Sequence, residues 1–308
     1  MGVKGVVIEA GGRSIKLTRP DKVLFPDAGI TKSDLVEYYK RVADRMVPHL
    51  RGRPLSMQRF PDGIDAPGFF QQAAPRFAPD WVKRATVKKG GGEVTHILCD
   101  DAATLVYLAT QACITPHVWL SRADKIDYPD QMMFDLDPSG AEFDVVKSAA
   151  RGLRDLLAES GLPAFVKTTG SQGLHVLVPL ERTEPFDRVR ALAREFAHLL
   201  AARDPGHWTT EQRISKRGGR VFIDTYRNSY GQTAAPAYAV RARPGAPVAV
   251  PLEWEELDRR DLKPDGCTIR DVFKRIEKIG DPWKDFAHQA VTIAKVKVDA
   301  TRRVPEEA

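Results

Sequence analysis

Gln131-Met132-Met133-Phe134-Asp135-Leu136-Asp137-Pro138-Ser139-Gly140, QMMFDLDPSG, is the stretch on which the reading of this chain turns. An apolar run leads into two carboxylates separated by one leucine. Side chains alternate along a strand, so Asp135 and Asp137 share one face and Leu136 takes the other. Two carboxylates that close repel each other unless something positive joins them. A divalent cation with hard oxygen ligands, magnesium or manganese, is one answer. The other is a strand running into an Asp-Pro-Ser-Gly turn, with Asp137 exposed before Pro138.

Downstream, the pattern predicts a helix capped by Asp144, with Val145, Val146, Leu153, Leu156 and Leu157 inward and Gly161 as its stop. Pro163–Thr168 and Leu174–Leu180 read as strands joined by Thr169-Gly170-Ser171-Gln172-Gly173. A helix is expected from Asp187 to about Ala202, then a short strand Arg220–Asp224. The order strand, helix, strand, strand, helix, strand is the ferredoxin-like arrangement. In it the first and last strands are neighbours, which brings Asp224 toward Asp135 and Asp137.

Upstream, Thr31-Lys32-Ser33-Asp34 resembles a capping box before Leu35, Tyr38, Tyr39, Val42 and Met46 at helical spacing. Leu55–Phe60 reads as a strand and Asp101–Cys113 as a buried helix. Beyond Gly231 the sequence predicts proline-rich turns and a helical tail from about Ile269.

The chain has 308 residues, 43% hydrophobic and 29% charged, which suits a soluble globular protein. It carries no 18-residue apolar run and no apolar leader near its start. Cys99, Cys113 and Cys267 are too scattered for a CxxC metal site or a disulfide framework, so a reducing cytoplasm is expected. The net charge of +6 is compatible with a polyanionic partner. Lys83, Arg84, Lys88 and Lys89 surround Gly90–Gly92, and Arg213, Lys216, Arg217 and Arg220 surround Gly218–Gly219. Each cluster suits either a phosphate backbone or an ordinary solvated surface.

Three converging carboxylates can hold two cations about 4 Å apart, an arrangement suited to phosphoryl transfer. Thr169–His175 offers N–H groups, a serine hydroxyl and an imidazole for a triphosphate. The order DxD, SxxGxH, strand-end Asp resembles the archaeo-eukaryotic primase superfamily. In detail it is similar to the polymerase domain of bacterial ligase D and its stand-alone primase-polymerase relatives. The similarity runs from roughly Ser14 to Trp283. Its residues include Asp21–Pro26, Thr31–Asp34, Arg53-Pro54, Phe69-Phe70, His117-Val118, Asp135–Pro138, Gly170–His175, Val221–Asp224, Arg227-Asn228 and Tyr238–Arg241.

The resemblance implies an α/β fold of the α+β kind. Its mixed-sheet primase-polymerase core has an RRM/ferredoxin-like palm packed against an N-terminal α/β module. Residues 1–308 would form one catalytic core, 1–129 contacting DNA and 130–308 carrying the palm, the metal site and the helical tail. Asp135, Asp137 and Asp224 would be catalytic and bind two divalent ions, manganese or magnesium. Ser171, Gln172, Gly173, His175, Arg217, Arg241 and His117 would hold the incoming NTP or dNTP. Lys22, Lys32, Arg59, Phe69, Phe70, Arg220 and Arg227 would contact DNA. Lys22 and Lys32, both near helix-opening sequence, would grip a 5′-phosphate. One of Phe69 and Phe70 would stack on a template base, the other being expected in the core.

The implied function is template-directed nucleotide addition, with a ribonucleotide preference, in end joining or excision repair. The implied partners are DNA with a gap, overhang or 5′-phosphate, a separate ligase and end-binding repair proteins, in the nucleoid-associated cytoplasm and without a membrane. A two-metal nuclease and an inactive DNA-end-binding module are the alternatives. Two positions depart from the family pattern: Gln172 stands where lysine is common, and Arg227 where glutamine is common. Lys263-Pro264-Asp265-Gly266 matches the KxDG motif of covalent ligases, but it is read as a turn. Too little chain follows it here for an adenylation domain.

Overall fold

The computed structural model describes residues 5–298, in which the chain divides into two compact units. The first comprises residues up to Ile126 together with Thr233–Val250 and Asp265–Asp281; the second comprises Asp127–Gln232, Pro251–Pro264 and the residues from Pro282 on. Neither unit is contiguous in sequence. Two later segments return to the first unit.

That unit opens with the hairpin β1 (Gly5–Ala10) and β2 (Arg13–Thr18), then the short pair β3 (Val23–Phe25) and β4 (Ile30–Thr31). Helix α1 (Lys32–Leu50) starts at a complete capping box: Thr31 Oγ1 accepts from the Asp34 N–H, and Asp34 accepts from the Thr31 N–H. Such a cap contributes about 1 kcal/mol. Leu35, Tyr38, Tyr39, Val42 and Met46 are buried along one stripe. Lys22, by contrast, does not open a helix. Its N–H closes a turn to Arg19 O, and the chain continues directly into β3.

The main sheet of this unit uses β5 (Pro54–Arg59), β6 (Phe69–Gln71), β7 (Arg84–Lys89) and β8 (Gly92–Leu98). Helix α2 (Ala102–Thr110) follows, capped by Asp101, and then β9 (Cys113–Trp119). The strand order is Thr233–Ala234, β9, β5, β8, β7, with β6 pairing β5. The expected helix through Cys113 ends sooner, because Ala112 turns left-handed (φ 54°) and Cys113 begins a strand. The helical tail reduces to Val272–Ile279 and a 3₁₀ turn at Phe286–Gln289, interrupted where Gly280 and Pro282 break the chain.

The second unit contains β10 (Gln131–Asp137), α3 (Phe143–Glu159), β11 (Phe165–Thr168), β12 (Leu174–Pro179), α4 (Phe186–Arg203), β13 (Trp208–Thr209) and β14 (Val221–Asp224). Asp144 lies within the first turn of α3 and is paired with Lys147; Glu142 holds the cap position instead. The sheet order is β13-β14-β10-β12-β11 with Pro251–Leu252 at the far edge. Its central strands β14, β10, β12 and β11 are antiparallel neighbours, the ferredoxin-like order. Helices α3 and α4 pack on each other and on the sheet. Met132, Phe134 and Leu136 of β10 are fully buried, while Asp135 and Asp137 between and beyond them are half-buried. Alternation therefore turns the carboxylates away from the helix-covered face. No helix among the described residues is long and apolar enough to cross a membrane.

Candidate nucleotidyl-transfer site

The registers of three strand pairs build the site. Asp135 lies directly opposite Asp224 on β14 and opposite His175 on β12, and His175 lies opposite Lys167 on β11. Side chains at directly paired positions share a face. One row across four strands therefore reads Asp224, Asp135, His175, Lys167, with Asp137 two residues along β10 on the same side. His175 Nε2 is 3.4 Å from Asp135 Oδ1, so the imidazole faces the acid. Lys167 was not anticipated from the sequence. It is 1% exposed, and its signal is only the strand alternation that places it in line with His175.

Electrostatics set the two paired acids apart. Burial pushes the Asp135 carboxyl up, but His175, Arg227 and Lys167 outweigh it and hold Asp135 below the usual range. Burial raises Asp224 as well, and the Asp135 charge adds to that. The Tyr226 N–H, Arg227 and Arg217 counteract only in part, so Asp224 stays above its ordinary value. Asp224 is thus the first of the pair to take up a proton as pH falls.

The donors suit a divalent cation: three carboxylates, hard oxygen ligands on one sheet face. Among the described residues, however, no three acidic, His or Cys side chains already converge as a cage. Asp137 Oδ1 accepts the Ser139 N–H at 2.8 Å, and Asp224 Oδ1 accepts the Tyr226 N–H at 2.7 Å. Each of these bonds engages Oδ1 and leaves Oδ2 as a ligand for a cation.

Several other expected residues in this unit have local duties. Thr169 Oγ1 accepts from the Ser171 and Gly173 N–H groups and donates to Gly173 O. The Gly173 N–H is therefore taken, and its place is architectural: a Cβ there would overlap Leu136 O. Ser171 is half-buried and Gln172 exposed at the loop tip. Arg220 donates to the carbonyls of Arg217, Lys216 and Pro205, so it fastens its own loop. Arg227 acts on both Asp135 and Asp224. Asn228 is fully buried; its side chain accepts the Met133 N–H and donates to Met133 O, extending strand-like pairing where β14 has ended.

The first unit gathers the basic group. Lys32 is buried, and its Nζ donates to Thr18 O at 3.0 Å. Burial lowers its pKa to about 8, and the charges of Arg19, Lys22 and Arg59 add to the effect. Lys22 is ion-paired with Asp62. Arg59 donates to Gln111 O and Gln71 Oε1 and lies over the Phe69 ring at 5.5 Å. Phe69 and Phe70 are 47% and 56% exposed, so neither is core. Both lie on β6, whose brief pairing with β5 leaves the rings outside the packed interior. His117 on β9 meets Gln58 Oε1 at 3.3 Å and the Phe70 ring edge-on at 5.2 Å. Arg241 follows Tyr238–Val240, whose backbone is held by the Tyr38 and Tyr39 hydroxyls and Thr115 Oγ1. Lys83 pairs with Asp100, and Arg84 with the Ala78 carbonyl; the Lys89 side chain lies outside the described residues. Lys263 is exposed beside a turn at Pro264-Asp265.

Comparison with known proteins places this arrangement. The family described as LigD, primase-polymerase domain, matches residues 31–283. A multifunctional non-homologous end joining DNA repair protein LigD of Mycobacterium tuberculosis is 37% identical over 281 residues, covering 88% of this chain and 37% of the relative. The bifunctional non-homologous end joining protein LigD of Bacillus subtilis is 31% identical over 274 residues, covering 88% of this chain and 44% of the relative. The chain spans less than half the length of either. Among solved structures, the polymerase domain from Mycobacterium tuberculosis ligase D in complex with DNA aligns with a TM-score of 0.84 and 35% identity, over 90% of this chain and 99% of that one.

Proposed function

Because this chain belongs to the LigD primase-polymerase domain family, we propose that it adds nucleotides to a DNA primer as a template directs, at gaps and broken ends. The observation that carries this reading is the cross-strand placement of Asp135 and Asp224 with Asp137 beside them. The DNA bound to the Mycobacterium tuberculosis domain supports DNA as the partner, and the end-joining relatives support repair as the setting.

In this reading Asp135, Asp137 and Asp224 hold two divalent cations, manganese or magnesium. When bound, these lower the pKa of the primer 3′-hydroxyl and balance charge on the departing pyrophosphate. The 3′-oxygen forms a bond to the α-phosphorus while the α–β bridging bond breaks. Ser171, Gln172, His175 and Arg217 take the nucleotide. His175 also keeps Asp135 ionised. Phe69 and Phe70, exposed beside Arg59, suit stacking on an unpaired base. Ribonucleotides are the preferred substrate. A labelled primer on gapped DNA should lengthen with ribo- or deoxynucleotides, faster with the former. Shortening without nucleotides would instead indicate a nuclease.

Lys32 and Lys22 form the 5′-phosphate site in this reading. Lys32 loses its proton as pH rises through about 8. A terminal phosphate is fully charged well below that pH, so its own titration adds nothing there. The preference for a 5′-phosphorylated gap should strengthen as pH rises through about 6, where the phosphate takes its second charge, and decline above pH 8, while Lys32→Arg should keep it there. The linkage sign agrees. Between about 8 and 10.5 the unfolded chain binds more protons at Lys32, so stability should rise with pH in that window. Binding titrations of gapped duplex with and without the phosphate give the ratio directly. A pH-independent ratio for the parent would place recognition elsewhere.

A further inference from the structure

Ser139 sits in the turn after β10 with φ 48°, a left-handed conformation that glycine adopts more cheaply. The side chain retained at that position has a use. Its N–H donates to Asp137 Oδ1 at 2.8 Å, and its hydroxyl accepts from Arg217 Nη1 at 2.9 Å. One residue thus touches both a carboxylate of the site and the cation nearest to it.

Arg217 is otherwise held by its own loop. Its Nε donates to Glu211 O and its Nη2 to Gln212 O, and the guanidinium lies 3.8 Å from the Phe222 ring centroid. With the bond to Ser139, these use three of its five N–H groups and leave one on each terminal nitrogen. A pair of parallel N–H groups is the fork that matches two phosphate oxygens. The competitor for that fork is close: Nη1 is 3.9 Å from Asp137 Oδ2, near enough for attraction and too far for a hydrogen bond. If the guanidinium closed onto Asp137, the phosphate cation and the metal carboxylate would neutralise each other. The two loops lie close to each other: a Cβ added at Gly140 would come within 3.9 Å of Gly219 Cα.

We propose that Ser139 is a positioning residue that holds the Arg217 fork off Asp137 and presents it to the nucleotide's phosphates. This rests on the reading of Arg217 as a nucleotide contact. Losing the hydroxyl should raise the nucleotide KM. Losing the left-handed strain should change stability alone.

The test compares Ser139→Ala, Ser139→Gly and Arg217→Ala in single-nucleotide addition to gapped DNA, with melting temperature measured on each preparation. Ser139→Ala and Ser139→Gly should both raise the nucleotide KM by about 3- to 10-fold, the factor an ordinary hydrogen bond supplies. Ser139→Gly should melt no lower than the parent, because glycine relieves the positive φ. A parental KM in Ser139→Gly beside a raised KM in Ser139→Ala would reduce the role to backbone geometry and overturn the proposal. Parental KM in both Ser139 variants with a raised KM in Arg217→Ala would overturn it while leaving the nucleotide reading intact. A parental KM in Arg217→Ala would remove that reading and the proposal with it.

Discussion

Asp135→Asn, Asp137→Asn and Asp224→Asn are each expected to reduce nucleotide addition by more than about 100-fold. Removing a mere partner of a metal ligand typically costs about 10- to 100-fold, and removing the ligand's charge should exceed that. The three variants should nevertheless differ in stability. Asp224 is held above its ordinary pKa by burial and by Asp135, so Asp224→Asn relieves an unfavourable charge and should melt at or above the parental temperature. Asp135 is held below its ordinary value by His175, Arg227 and Lys167, so Asp135→Asn strips those cations of their partner and should melt lower. The pH signs follow. Asp135 contributes stability above its unfolded pKa that is lost as pH falls through its folded pKa, whereas raised Asp224 costs stability above its unfolded pKa. Thermal melts and extension rates on the same preparations check both statements. Near-parental extension by any of the three would remove the metal assignment.

Gly173→Ala is expected to have a large effect for a single added methyl group. The new Cβ would overlap Leu136 O and lie 3.1 Å from Leu136 C, with Pro138 Cδ also in contact. The Leu136 atoms are backbone of the strand that carries Asp135 and Asp137, and they cannot rotate aside. Overpacking of this kind costs typically about 1–3 kcal/mol. Here the strain also displaces two site carboxylates. Gly173→Ala should therefore lower the melting temperature and lose most activity even where it remains folded. A variant with parental melting and parental extension would show that the Thr169–Gly173 loop can shift without disturbing β10.

The palm was legible because its signals are local and repeated. Alternation in QMMFDLD, helical spacing at Val189, Leu192 and Phe196, and the glycine loop before Leu174 each fix one element, and their order selects the topology. Cross-strand partnership of Asp135 and Asp224 followed from that order. The first unit was harder to read. Pro116 within β9 argues against a paired strand, yet β9 is paired on both sides by β5 and Thr233–Ala234. The return of residues 233–250 and 265–281 to that unit depends on tertiary contacts with no local signature.

Within the site, the sequence brought out residue types but not their partners. Nothing in TTGSQG indicates that the Gly173 N–H is consumed by Thr169. Nothing in the basic cluster separates Arg217, facing the acids, from Arg220, which ties down its loop. Lys167 and Ser139 carry no distinctive sequence signal, because a lysine in a short strand and a serine in a turn are ordinary until register and φ are known. Paired phenylalanines usually pack, which predicts one of Phe69 and Phe70 in the core, whereas both are exposed.

In the proposed function the carboxylate face of the palm performs template-directed nucleotidyl transfer. Its most direct test is addition of one nucleotide to a labelled primer across a 5′-phosphorylated gap, with manganese, varying the single templating base. The expected result is extension by one residue only with the nucleotide complementary to each template, and none with Asp135→Asn. A primer that is unchanged, shortened, or extended without regard to the templating base would contradict it.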